Sequence, residues 1–173
     1  ERDARFNAGY GARLQRDGTA RLSAALMDGK RTRLSAVYNV EDCTHPSQLA
    51  DALQQRGDRN LDGHGARLLM RELSMAAADV RSPQSIARWR KLVASGDEAD
   101  REAAIGSAGQ DDLLKAQAAD LPLPADLREQ LPPEPDRHGT VGAVACDADG
   151  SIWACTSTGG RGHEAVGRIS DSP

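Results

Sequence analysis

Leu121–Gly139, LPLPADLREQLPPEPDRHG, carries five prolines in nineteen residues, and no other stretch limits the fold as much. Proline has no backbone N–H and a fixed φ, so the segment cannot hold a regular helix or a central strand. It reads as an exposed linker, a place where chains are cut. Two alternating runs follow at once, Thr140–Cys146 and Ser151–Thr158, around the turn DADG. Asp at the first and Gly at the last turn position suit a hairpin. If the loop centres on Asp149, Thr140 faces Thr158. If it is a two-residue loop, Thr140 faces Ser157. Either register gathers hydroxyls at the open end.

Upstream, Thr19–Met27 and Leu34–Val40 read as strands. Thr44–Gly57 reads as a helix with Pro46 in its first turn. Gly63–Met75 reads as a second helix with Leu68, Leu69 and Leu73 on its apolar face. Ser82–Gly96 reads as a third, opened by Ser82 and Pro83. Asp97–Asp120 reads as a weak helix interrupted by GSAG. Strands followed by helices point to an α+β layered fold. With 173 residues the chain suits one moderate domain, and only five residues are aromatic, so its core must be mainly aliphatic. The net charge of −4 comes without a basic face, which argues against nucleic acid as a partner. No apolar run approaches the roughly 18 residues of a membrane span. Cys43, Cys146 and Cys155 do not make a disulfide framework, and buried thiols in a reducing compartment, the cytoplasm, are expected. His45, His64 and His163 show no metal-ligand spacing with them.

The junction Gly139–Thr140 allows one distinctive chemistry. Once that bond is cut, Thr140 carries a hydroxyl and a free α-amine, whose reference pKa of about 7.7–8.0 suits a general base at neutral pH. One residue then supplies nucleophile and base together. Its β-branch restricts χ1 and aims the hydroxyl, and Gly139 admits conformations that strain the scissile bond. A strand-starting threonine after a loop would look the same, so spacing alone leaves both readings open. His138 reads as linker, because the amine fills the role of base.

GTVGAVACDADGSIWACTSTGG and GRISDSP closely resemble the plant-type asparaginase and isoaspartyl peptidase family of N-terminal-nucleophile hydrolases. FNAGYGA, RDGT and MDG resemble that family's first subunit, in the same order. The resemblance implies a four-layer αββα sandwich, here incomplete at both ends. Residues 1–120 would be most of the first subunit, 121–139 a processing linker, and 140–173 the start of the second. It implies Thr140 as the nucleophile released by autocatalytic cleavage of Gly139–Thr140. Thr158 would orient it, and Asn7 would lie beside it. Arg168 would grip the substrate α-carboxylate, a bidentate task that suits a planar guanidinium. Asp171 would pair with the α-ammonium. The loop Glu1–Tyr10 would wrap a structural sodium ion through the carbonyls of Glu1, Asp3, Phe6, Ala8 and Tyr10, and no cofactor would be required. The substrate would be a small molecule, L-asparagine or a β-aspartyl dipeptide, and the assembly a dimer of two-subunit protomers.

Departures from the family pattern fall at Ser170, where Gly is usual, at Ser23, where many members have Asp, and at Val166, often Pro. The family continues beyond DSP with a Thr-Gly pair that forms the oxyanion hole, and such a hole is often the largest catalytic term. The 173 residues are therefore not expected to be a competent enzyme alone. Glycosylasparaginases usually have Asp before the nucleophile and TSTNG, against Gly139 and TSTGG here. The threonine endopeptidase branch lacks the DSP of Asp171–Pro173. A non-catalytic homologue or inactive fragment is the remaining alternative.

Overall fold

Small residues, Ser23, Ala24 and Ala25 on one strand and Ser35 and Ala36 on the next, are buried within the sheet. The computed structural model describes residues 1–95 and 140–169. Strand β1 (Leu22–Asp28) and β2 (Arg33–Val40) form an antiparallel hairpin, and the short β3 (Asn60–Leu61) lies parallel to β2. β4 (Val141–Cys146) and β5 (Ile152–Thr158) form the second hairpin. β5 pairs antiparallel with β1, so the sheet order is β3-β2-β1-β5-β4. The expected first strand starts late because Thr19 belongs to a tight turn. Gln15 N donates to Thr19 O, and Gly18 N donates to Gln15 O.

Helix α1 (Pro46–Leu53) has Pro46 in its first turn, where the missing N–H costs no helical bond. Helix α2 (Gly63–Glu72) is capped by Asp62, whose Oδ1 accepts from Gly65 N at 2.7 Å. Both cover one sheet face, packing Leu49, Leu53, Ala66, Leu69 and Met70 on Ala24, Val37 and Val40. The expected apolar face of α2 needs correcting: Leu69 is 2% exposed, but Leu68 is 51% and Leu73 40% exposed. Ala66, Leu69 and Met70 stand at i, i+3 and i+4 and form the buried stripe, and Leu68 lies about 100° round from Leu69. Helix α3 (Pro83–Ser95) is opened by Ser82, whose Oγ accepts from Ser85 N. It packs Ile86, Trp89 and Val93 on Leu14, Ala20 and Leu22. Trp89 Nε1 donates to Arg16 O, so the ring is buried with its polar atom satisfied. A buried tryptophan of this kind contributes about 3–5 kcal/mol relative to alanine.

The architecture is thus α+β, with a five-stranded sheet and three helices among the described residues. β4 is exposed along its whole length, with Val144 at 76%. Leu34 and Ile152 are likewise exposed. The stretches expected to be a weak helix and a linker lie outside the described residues, as do Gly96 and His138. Among the described residues no helix is long and apolar enough to cross a membrane.

Candidate active site

The hairpin register decides what faces Thr140. Val141 pairs with Ser157 and Cys146 with Ile152, so the loop centres on Asp149. One step further along this register, Thr140 stands opposite Thr158, and the two-residue-loop alternative is excluded. Ser23 of β1 pairs with Thr158 on its other side. Ser23, Thr158 and Thr140 therefore form one row of hydroxyls across three adjacent strands, on the face away from α1 and α2. Directly paired side chains in such a row have Cβ atoms about 4.5–5.5 Å apart. Thr158 is buried and Thr140 exposed. Thr158 Oγ1 accepts from Gly160 N at 3.2 Å, which leaves its O–H to donate elsewhere.

A β-bulge sits at this row. Leu22 pairs with Val40 but Ala24 with Val37, so Tyr38 and Asn39 together oppose Ser23. Asn39 takes a positive φ of 53°, which asparagine tolerates. Its N donates to Ser23 Oγ, and its Nδ2 donates to Gly167 O at 2.8 Å.

Asn7 ties the first loop to the end of β5. Its Nδ2 donates to Gly160 O, its Oδ1 accepts from Arg13 N at 2.9 Å, and its own O accepts from Gly159 N. A Cβ at Gly159 would lie 2.5 Å from Ala12 Cβ and 2.8 Å from Asn7 Oδ1, so only glycine allows this approach. Asn7 is thus joined to Gly159 and Gly160, the two residues that follow Thr158.

The loop before it is folded on its own carbonyls. Glu1 O accepts from Tyr10 N, Asp3 O from Phe6 N, Phe6 O from Ala8 N and Ala8 O from Gly11 N. A Cβ at Gly9 would overlap Glu1 O, and one at Gly11 would overlap Phe6 O and lie 2.7 Å from Ala4 O. The carbonyl oxygens of Glu1, Asp3, Phe6 and Ala8 each keep a second lone pair beside these bonds, and hard oxygen donors of this kind suit a hard cation. Among the described residues no group of three His, Cys, Asp or Glu could hold a metal.

Glu1 also contributes a side chain that sequence reasoning missed. Its carboxylate accepts from Ser47 N (3.3 Å), Ser47 Oγ (2.8 Å) and Ser157 Oγ (2.9 Å), and stands 3.3 Å from His45 Nδ1. It serves as the cap of α1, where His45 provides no side-chain cap. Nothing at position 1 announces this, because the contacts span 44 to 156 residues.

Arg168 lies on the segment that Asn39 and Gln15 hold. Gln15 Oε1 accepts from Gly167 N (2.9 Å) and Arg21 Nη1 (2.8 Å), and its Nε2 donates to Arg168 O (3.1 Å). Arg168 Nη1 stands 3.7 Å from Glu164 Oε1. Gln15 and Glu164 were not anticipated, although the i, i+4 spacing of Glu164 and Arg168 is legible. Asp171 and Gly139 lie outside the described residues. The cysteines are all unbridged, as expected, but not all buried: Cys146 lies on β4, which is exposed along its length among the described residues. Burial pushes the Cys43 thiol up to about 11, and burial, then the charge of Glu1, raises that of Cys155.

The chain is similar to known proteins along its length. A family model described as asparaginase matches residues 1–173. The isoaspartyl peptidase/L-asparaginase of Synechocystis sp. is 40% identical over 172 residues, 99% of this chain and 46% of that protein. The protein of that name from Rattus norvegicus is 35% identical over 175 residues, covering 100% of this chain and 44% of its own length. The isoaspartyl peptidase of Escherichia coli is 32% identical over 169 residues, covering 97% of this chain and 46% of its own length. The chain spans a little under half the length of these curated relatives.

Proposed function

The chain belongs to the asparaginase family, and we propose that the protein is a self-processing amidohydrolase acting on L-asparagine and β-aspartyl dipeptides. The observation that carries this reading is the hydroxyl row, with Thr140 opposite Thr158 at the end of a Gly-Thr junction. Scission of Gly139–Thr140 would divide residues 1–120, with the linker 121–139, from a second subunit that starts at Thr140. The new α-amine would take the proton of the Thr140 hydroxyl as Oγ attacks the side-chain carbonyl carbon. The Thr158 O–H would donate to Oγ and hold it on line, and Asn7 would fix the loop beside it. Collapse of the tetrahedral intermediate would release ammonia, or the amine of the following residue, which takes up the proton. Water would then hydrolyse the β-aspartyl ester on Thr140 and free aspartate. Arg168 would hold the α-carboxylate and Asp171 the α-ammonium.

A sodium ion held by the carbonyls of Glu1, Asp3, Phe6, Ala8 and Tyr10 would stiffen the Asn7 loop and take no part in the chemistry. The exposed face of the sheet would pack on a second sheet, giving the four-layer αββα sandwich. The assembly would be a dimer of two-subunit protomers, and three free thiols fit the cytoplasm.

Mass spectrometry of the full-length protein after incubation tests the proposal. A fragment that begins at Thr140 is expected, and its absence in Thr140→Ala. A wild-type chain that remains intact would overturn it. Assays with asparagine, β-aspartyl-leucine and a glycosylated asparagine then assign the substrate.

A further inference from the structure

We infer that Glu164 is a positioning residue, which sets the guanidinium of Arg168 for the substrate carboxylate; this rests on the role proposed for Arg168. The side chain of Glu164 is 5% exposed and that of Arg168 25%, unlike a solvated surface pair. Both ends of Glu164 are fixed. Its O accepts from Arg16 N at 3.0 Å, and its Oε2 accepts from Arg161 N at 2.8 Å. Gly160 makes the space: a Cβ there would overlap Glu164 Oε1 and lie 3.1 Å from its Cδ. The second glycine of TSTGG thus brings this carboxylate against the strand end that carries Thr158. Oε1, on the same carboxylate, faces Arg168 Nη1.

Arg168 is held from the other side through its backbone. Its N donates to Ala165 O at 3.0 Å, and Gln15 grips Gly167 N and Arg168 O. The long side chain therefore starts from a fixed point and meets a fixed anion part-way along. A guanidinium is planar and rigid, so an anion 3.7 Å from one of its nitrogens biases the plane in which all its N–H groups point. Orientation achieved in this way contributes to ground-state and transition-state binding alike, so its loss appears in KM rather than kcat.

The test uses full-length, self-processed protein with Glu164→Ala, Glu164→Gln and Arg168→Ala. The substrates are L-asparagine and L-asparagine α-amide, which lacks the carboxylate. Glu164→Ala is expected to raise KM for asparagine about tenfold with kcat within about twofold, and to leave the amide unaffected. Glu164→Gln keeps one of the two acceptors and is expected to recover part of the loss; it carries the test if the alanine variant does not fold. Arg168→Ala is expected to show the same substrate dependence more strongly. If Arg168→Ala raises KM for asparagine while both Glu164 variants leave it unchanged, or change both substrates alike, the positioning role is overturned and the role of Arg168 stands. If Arg168→Ala leaves KM unchanged, the role of Arg168 itself fails and the inference with it.

Discussion

Replacing Asn7 should loosen the join between the first loop and the end of β5, and the chemistry of the replacement decides by how much. The amide makes two side-chain bonds, Nδ2 to Gly160 O and Oδ1 from Arg13 N. Its orientation follows from those partners, one a carbonyl and the other an N–H. Asn7→Ala loses both, and at roughly 1 kcal/mol net for each neutral bond the cost is about 2 kcal/mol. Asn7→Asp is nearly isosteric, yet it keeps only the bond from Arg13 and turns an oxygen towards the Gly160 carbonyl. Two acceptors then face one another without a donor, at about 1–3 kcal/mol each, so the isosteric change should cost about 2–6 kcal/mol at pH 7. The introduced carboxyl holds its proton more tightly folded than unfolded. Its stabilising form is the protonated one, present in full below the unfolded value near 4 and lost as pH rises through the folded value. The deficit of Asn7→Asp against wild type should therefore shrink as pH falls from 7 towards about 4, while that of Asn7→Ala stays level. Urea unfolding at several pH values measures both. An Asn7→Asp variant as stable as wild type at pH 7, or no pH dependence in its deficit, would refute the reasoning.

Gly159→Ala places a methyl carbon 2.5 Å from Ala12 Cβ and 2.7 Å from Ala12 Cα, and the backbone there cannot yield cheaply. It should cost about 1–3 kcal/mol in urea unfolding. Gly57→Ala meets nothing within 4 Å and should stay within about 0.5 kcal/mol. Alkylation at pH 8 followed by mass spectrometry should modify the exposed Cys146 first and Cys155 more slowly. Cys43, buried and with a thiol pushed up to about 11, should react only after unfolding, because the thiolate is the nucleophile.

The sequence carried the local structure well where one physical signal acted alone. Proline at position 46 and serine at 82 opened helices as expected, and the DADG turn narrowed the hairpin to two registers. Choosing between them needed the backbone. The buried face of α2 was misread because Leu68 and Leu73 are apolar but turn away from the sheet, and composition alone does not say where the sheet lies. At the candidate site, Thr158 and Asn7 came from motifs. The side chains of Glu1, Gln15 and Glu164 did not: those of Glu1 and Gln15 act on groups far away in sequence, and the i, i+4 spacing of Glu164 and Arg168 does not by itself mark a buried pair. Gln15, for instance, grips groups 152 and 153 residues away. β3, with two residues, is too short to leave a pattern.

The placement of β5 between β1 and β4 has a consequence for the chain as an object that is cut. Among the described residues, two of the five strands lie after the Gly139–Thr140 junction, and one of them is interior to the sheet. A nick at that junction would leave every ladder bond in place. Beyond the sheet, Asn7, Leu14 and Arg16 still bond to Gly159, His163 and Glu164 across the divide. The two pieces would share one core and remain a single folded body. Their unfolding, however, would separate two molecules instead of loosening one, so stability that was a property of the chain would come to depend on concentration.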